Sequence, residues 1–467
     1  MIRFFKNLPW RLFPTIFALA WPTILEQLLH TAVQYIDTAM VGSLGTEATA
    51  AVGSTTTVNW LVSSTVSAIG VGFLAYISQA RGAGKHKEAR EASGQAVFMV
   101  LVLGITLTAI ILSLSPVVPA LMRVDEPLRK TSAIYFFIIY TPMLFRTASI
   151  IFGTVLRSAG DTKTPMIVGF LVNIINVALN FFLIYETRNV KIGKLTLHIL
   201  GAGMGVIGAG VATAISFLVG GIIITIALIK HKEISPRGTS IKPNMKILKP
   251  CLKVAFPNAL QRFGTSGGYV VFASMINSLG PIATAAHTFA NTIESAFYVP
   301  GYGMQSASAT LCGNALGANE RDKIKQLSRM IIFIEAVLMI VSGSLLFIFA
   351  PNILKLFSSD SEVVSLGSVV LRMVALSEPF YGISIVIEGM MQGMGKTKMP
   401  FILNIIGMWG VRILGTLITT QICHMGLISA WACMILHNLT LFVVLFIYYL
   451  SGRYIPKKKE EASVPQK

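Results

Sequence analysis

Long apolar stretches separated by short polar breaks run the length of the chain, at approximately 13–43, 50–80, 92–119, 131–157, 163–185 and 202–230, then at about 247–279, 284–315, 327–350, 364–393, 398–421 and 425–450. Each reaches the roughly 20 residues that an α-helix needs to cross a hydrocarbon core. The pattern therefore predicts an all-α membrane protein with twelve transmembrane helices. The two sets of six are copies: shifted by 235 positions, Pro22 falls on Pro257, SLGTEATAA (Ser43–Ala51) on SLGPIATAA (Ser278–Ala286), and GDTKTP (Gly160–Pro165) on GKTKMP (Gly395–Pro400). Six is even, so the second copy enters the membrane in the same direction as the first. That makes two parallel-repeat six-helix bundles related by an axis along the membrane normal. Pro22 and Pro257 lie inside the long first span of each copy, where a proline removes a backbone hydrogen bond and bends the helix. The expected domains are a bundle over 1–230, a basic linker over 231–246, a second bundle over 247–450 and a basic tail over 451–467.

Charge adds orientation. Charged residues make up 12% of the chain and mean hydropathy is +0.71, where a soluble domain carries roughly 25% charge. With the N-terminus, the loops after even-numbered spans and the C-terminus on one side, that side collects 27 of the 38 lysines and arginines, against seven opposite and four within spans. The lysine-rich side faces the cytoplasm, which predicts a multi-pass plasma-membrane protein with both termini inside. The surplus behind the net charge of +18 lies in these loops, in the linker from Lys230 to Lys253 and around Lys457, Lys458 and Lys459. Anionic lipid headgroups, rather than nucleic acid, are the partner this implies. Cys251, Cys312, Cys423 and Cys433 have no metal-binding spacing and read as buried free thiols. Residues 1–30 lack a small-residue cleavage site and continue into a full span, so they read as a retained first helix.

Polar residues inside the spans carry the candidate chemistry. Glu26, His30, Gln34 and Asp37 recur three and four apart on the first span, forming a stripe along one face, with Gln27 beside it. A central carboxylate facing lipid costs several kcal/mol. The stripe therefore faces a cavity or holds helices together, and both readings stand for Glu26 and His30. Asp37 has Phe272 as its repeat mate, so the duplicated architecture did not demand an acid there. Asn173, Asn176 and Asn180 share a face of the fifth span, and their mates are Met408, Val411 and Gly415. Amides there can bind a carboxyl or a cation. Thr213 on the sixth span either joins this site or bonds its own helix backbone. Asp37, Asn176, Asn180 and Thr213 are the expected ion-coupling set. In the second half, Glu294 either pairs with Arg262 or binds substrate, and Glu388 reads as interfacial. Gln34, Glu294, Tyr298, Met304, Glu378 and Tyr381 are the expected substrate-binding set, with Tyr302 beside them, because rings and thioethers conform to varied ligands.

No HExxH, GxSxG, paired Asp-rich motif or GxxxxGK[ST] loop is present, so an enzyme is not expected and no cofactor is called for. A scaffold would not need the asymmetric polar face, whereas a transporter would. WPTILEQ from Trp21, YIDTAMVGSLG around Asp37, QARGAG from Gln79 and LRSAGDTKTP from Leu156, with GNALGAN from Gly313 and MQGMGKTKMP from Met391, resemble the multidrug and toxic compound extrusion (MATE) family from about Pro9 to Tyr449. The resemblance implies two bundles around a V-shaped cleft that opens to either side in turn, exporting a substrate against an influx of protons or sodium ions. It also implies that Asp37 matches the family's first-helix acid and Asn176 a fifth-helix asparagine. Asn180 stands where some members have aspartate, and Gln261 and Arg262 stand where others have a seventh-helix glutamate.

The expectation is a secondary active exporter of amphipathic organic compounds, with proton antiport favoured over sodium because Asn180 removes a charge that a hard-oxygen cation site would use. The alternative is a flippase for a lipid-linked precursor, which would line its cleft with cations for a diphosphate; Arg146, Arg262 and Arg412 keep it open. In a cysteine-free background, Thr46→Cys and Ser359→Cys should react with an impermeant maleimide from outside the cell and Ser240→Cys should not. Labelling of position 240 from outside would overturn the orientation.

Overall fold

A computed structural model describes residues 8–122, 124, 126–192 and 195–456. Twelve long helices, two of them in two segments, follow one another among the described residues. The first lobe holds α1 (Phe13–Gly42), α2 (Thr46–Gly82), α3 (His86–Leu114), α4 in two segments (Glu126–Tyr140 and Met143–Ser158), α5 (Lys163–Leu183) and α6 (Gly205–Lys230). The second holds α7 (Met245–Asn277), α8 (Pro281–Gly317), α9 (Arg321–Leu354), α10 in two segments (Ser361–Ala375 and Glu378–Gly393), α11 (Lys398–Ile422) and α12 (Leu427–Leu450). Eight are long and apolar enough to cross a membrane by length and composition alone, and ten when each two-segment helix counts as one span. The remaining two, α7 and α8, are interrupted by polar residues such as Gln261, Arg262, Glu294 and Gln305, which turn away from lipid toward the interior.

The 235-residue register governs where helices start. Thr46 and Pro281, His86 and Arg321, Glu126 and Ser361, Met143 and Glu378, and Lys163 and Lys398 are all such pairs. In the repeated SLG sequence, Gly45 and Gly280 precede α2 and α8 with φ of 114° and 103°, a conformation open to glycine and costly for other residues. The register slips after α5, since only the first copy inserts an antiparallel hairpin, β1 (Glu186–Ile192) and β2 (Leu195–Ala202), before α6. The hydropathy pattern gave no sign of this hairpin. The helix breaks fall away from Pro22 and Pro257. Helices α1 and α7 run unbroken through Pro22 and Pro257, whereas α4 and α10 bend by 48° and 52° at the same repeat position. There Pro142 caps the second segment of α4, and Ser377, followed by Pro379, caps that of α10.

The lobes exchange the N-terminal parts of their first helices, while Val41 of α1 and Phe272 and Ile276 of α7 stay in their own lobes' cores. Ile16 and Ala20 of α1 are buried in a cluster with Met304, Ala307 and Met390 of the second lobe, while Ile247, Leu248 and Cys251 of α7 join the core of the first. Near the same end α2 and α8 cross with reciprocal close contact. A Cβ added at Gly82 would strike the Asn314 carbonyl oxygen, and one added at Gly317 would strike that of Gln79. Gly82 and Gly317 are repeat mates, as are Gln79 and Asn314, so the contact sits on the pseudo-twofold axis. Gln79 Nε2 also donates to the Gly393 carbonyl at 2.8 Å, and Thr310 Oγ1 to that of Arg157 at 3.2 Å. Burial follows these contacts: residues 64–80 of α2 and 301–315 of α8 are largely buried, while the far half of α1 is mostly exposed. The molecule is closed at the end that carries its termini and parts toward the other.

The linker between the lobes is clasped by α3. Arg90 donates to the carbonyls of Ser235 (3.1 Å) and Arg237 (2.8 Å), and Gln95 bonds Ser240, Lys242 and Asn244. From 457 on, the tail with Lys457, Lys458 and Lys459 lies outside the described residues. Gly82→Ala and Gly317→Ala should each force α2 and α8 apart at the crossing. Spin labels on the repeat mates Lys85 and Glu320 should then report a longer distance in either variant than in the unsubstituted chain, and an unchanged distribution would refute this closure.

Candidate functional site

In the first lobe four side chains from three helices converge as the spacing predicts. Asp37 of α1 accepts a 2.6 Å hydrogen bond at Oδ1 from Asn180 Nδ2 of α5. Asn176, one turn earlier, faces the same carboxylate with its amide. With Nδ2 toward the carboxylate it donates to Asp37 Oδ1 and Oδ2 at 2.8 and 3.0 Å, and its Oδ1 accepts from Thr213 Oγ1 of α6 at 3.3 Å. In the other orientation its Nδ2 donates to Thr213 Oγ1 at 3.3 Å, its Oδ1 accepts from Asn180 Nδ2 at 3.3 Å, and the Thr213 hydroxyl donates to the Ala209 carbonyl at 2.9 Å. That second arrangement sets two oxygens face to face unless a proton lies between them. The orientation with Nδ2 toward the carboxylate satisfies both amide atoms, and in it Thr213 joins the cluster as a donor. Asn176 and Asn180 are 5% and 1% exposed, so these amides have no route to bulk water as an alternative partner.

The pseudosymmetric place in the second lobe is built differently. Phe272, the mate of Asp37, has the Arg412 guanidinium 4.1 Å from its ring centroid, and Arg412 also lies 4.8 Å from the Tyr269 ring. A fixed cation stacked on aromatic rings stands where the first lobe has an acid. The mates of the three asparagines fall on α11, which is wound partly as π-helix over Ile406–Ile413 and Leu417–Ile422.

Between the lobes, deeper toward the closed end, is a chamber of about 410 Å³, within the size range of small-molecule sites. On the first-lobe side Glu26 and Arg157 face it as an ion pair, with contacts of 2.9 and 3.1 Å. Thr23, beside them, donates to the carbonyl of Gly303 at 2.9 Å and ties α1 to α8. The second-lobe side presents Tyr298, Tyr302 and Tyr381, whose rings meet edge to face with centroids 5.7–5.8 Å apart.

The structure sorts the expected residues. Asp37, Asn176, Asn180 and Thr213 come together. Tyr298 and Tyr381 line the chamber, while Gln34 lies exposed farther along α1. Met304, 1% exposed, is part of the packing between lobes, where the pattern suggested an adaptable pocket wall. Glu294 does not pair with Arg262; it is 5% exposed and sits in the field of Arg412. Glu378 is buried at the bend of α10, outside the chamber. Glu388, expected at the interface, is also buried but lines the chamber, accepting from Asn404 Nδ2 at 2.5 Å and Gln261 Nε2 at 3.4 Å. Of the three arginines, Arg262 alone faces the chamber. Arg146 bonds Ser63 and packs on Phe217, and Arg412 packs on its rings.

Sequence reasoning missed Glu335 on α9, which is fully buried. Its Oε1 is cradled by Gly301 and Gly382, where an added Cβ would lie 2.8 and 2.7 Å away, and neither carboxyl oxygen has a hydrogen-bond partner in the protein. A lone acid on an otherwise apolar span gave no spacing signal. The Glu26–Arg157 pair was equally illegible, since its members lie 131 positions apart.

The duplicated frame has counterparts in known proteins. The MatE family model matches the chain twice, over residues 22–182 and 257–418. The chain belongs to the MatE family. Its two matches start at Pro22 and Pro257, in the internal register. Among curated relatives, the "Probable multidrug resistance protein NorM" of Thermotoga maritima is 28% identical over 93% of this chain and 92% of its own length. The "Probable multidrug resistance protein YoeA" of Bacillus subtilis is 25% identical over 94% and 93%. A solved multidrug resistance MATE family transporter of the MOP superfamily, in an outward-facing conformation, shares the fold with a TM-score of 0.86 at 22% identity, covering 94% of this chain and 95% of that one.

Proposed function

We propose that this MatE-family membrane protein is a secondary active exporter of amphipathic organic compounds, driven by protons that pass through the first lobe. The observation that carries the reading is Asp37 held by amides from α5, while its repeat mate Phe272 lies under Arg412. The names of the curated relatives support export of drug-like molecules.

The cluster has two self-consistent states that differ by one proton. With Asp37 ionised, both amides point their NH₂ groups at the carboxylate and Thr213 donates to Asn176. With Asp37 protonated, its O–H is donated to Asn176 Oδ1, the amide turns over, and the Thr213 hydroxyl bonds the Ala209 carbonyl instead. One proton thereby changes the hydrogen bonds joining α1, α5 and α6. The same α1 lines the chamber about three to four turns away with Thr23, Glu26 and Gln27, and Tyr35 bonds the Thr292 carbonyl of α8 at 2.8 Å. A change in how α5 holds α1 reaches both the chamber wall and the seam between lobes. With the termini in the cytoplasm, the closed end faces the cytoplasm and the parted end faces outside, which brings external protons to Asp37.

Sodium fits less well. It requires several oxygens aimed at one point, and here the amides offer NH₂ groups to the only carboxylate in the cluster. The flippase alternative would use several cations to hold a diphosphate. With Arg146 and Arg412 in helix packing and Arg157 paired to Glu26, Arg262 is the one arginine free to do so.

In inverted vesicles, a pH gradient should drive substrate uptake, a protonophore should abolish it, and removal of sodium should leave it unchanged. Asp37→Asn should reduce this uptake at least about tenfold with protein still folded in the membrane, because the amide keeps the shape and cannot titrate. Asn180→Asp should introduce a sodium requirement. Export that survives a protonophore and collapses without sodium would contradict proton coupling.

A further inference from the structure

The chamber shows an imbalance of hydrogen-bonding groups that the coupling site does not explain. Its acids are engaged within the protein: Glu26 faces Arg157, and Glu388 takes hydrogen bonds from Asn404 and Gln261. Its unpartnered polar atoms are chiefly donors. Asn258 Nδ2 of α7 has no acceptor although the residue is 2% exposed, and Arg262 Nε, one helical turn on, is buried and has none either. Arg262 forms no ion pair among the described residues. Across the chamber on α12, His437 is 4% exposed with neither ring nitrogen bonded; a neutral imidazole there adds one more donor and one acceptor. All three residues line the same cavity. Buried polar groups are nearly always satisfied, and leaving one unmet costs about 1–3 kcal/mol. Three around one chamber define a site whose complement comes from a ligand.

We infer that the chamber binds a planar aromatic molecule bearing an anionic acceptor group, a carboxylate or sulfonate, with the anion on Arg262 and Asn258 and the ring among Tyr269, Tyr298, Tyr302 and Tyr381. Guanidinium matches a two-oxygen anion with paired, parallel N–H donors. Tyrosines offer ring faces and edges to an aromatic body. Arg412, stacked on the far side of Tyr269, places a further fixed positive charge behind the wall. An organic cation finds the opposite: both chamber carboxylates already hold donors, and Arg262 repels it. The inference rests on the exporter reading in taking this chamber as the substrate site, and it narrows the substrate to amphipathic acids.

The test is equilibrium binding of two matched probes, naphthalene-1-carboxylate and naphthalen-1-ylmethylammonium, to the purified full chain in detergent by isothermal titration at neutral pH. The carboxylate should bind at least about tenfold tighter, the size of one charge-assisted hydrogen bond. Arg262→Gln should remove that preference, and Arg262→Lys, keeping charge without the planar fork, should retain part of it. Equal or tighter binding of the ammonium probe by the unsubstituted chain would overturn the inference even if Arg262→Gln fails to fold. A carboxylate preference that survives Arg262→Gln would overturn it too. Binding does not depend on coupling, so the two readings fail separately. Preference for the carboxylate without proton-driven export sinks the exporter reading alone, and Asp37-dependent export with no such preference sinks this inference alone.

Discussion

The hydrogen bond from Asn180 to Asp37, at 2.6 Å, fastens α1 to α5, and the rest of the molecule depends on that helix. On one side α1 belongs to the first lobe through this bond and the ion pair of Glu26 with Arg157. On the other it is buried in the second lobe through Ile16 and Ala20 and bonded to α8 through Thr23 and Tyr35. A helix held by both lobes cannot change its attachment to one without altering its fit to the other. Polar contacts suit this role, because in an apolar surround their exchange is discrete: a donor is matched or it is not.

Duplication supplies the frame, and departure from it supplies the chemistry. Reciprocal glycines at the α2–α8 crossing keep the two copies equivalent where they close against each other. Away from the axis the copies diverge. Asp37 with its asparagines becomes Phe272 with Arg412, and the second lobe carries a permanent charge where the first carries a titratable one. A fixed cation does not respond to a proton gradient. Under the proposed proton coupling, the first lobe senses the ion while the second shapes the chamber.

Much of this was legible in the sequence, for physical reasons. Helix starts follow the 235-residue register because each copy must fold into the same bundle, and the first-lobe cluster could be read because its asparagines lie four apart on one helix with apolar repeat mates. The polar wall of the chamber could not be read, because Glu26, Arg157, Asn258, Arg262, Glu388 and His437 come from five different helices and local spacing is silent about such meetings. Pro22 and Pro257 sit inside unbroken helices, whereas the bends of α4 and α10 fall at Pro142 and just before Pro379, where the proline opens a new segment. Glu388 was misplaced because depth along a helix says nothing about the amides of Gln261 and Asn404 that surround it.

If Asp37 exchanges its proton as the cluster switches, substrate binding to the closed-end chamber must change the number of protons bound. The direct measurement is proton release on adding a transported compound to purified protein in weakly buffered solution, followed with a pH indicator. The account predicts release of close to one proton per chain, absent in Asp37→Asn protein that still binds the compound. Equal release from the Asp37→Asn protein, or no release from the unsubstituted chain at any pH between about 5 and 8, would contradict it.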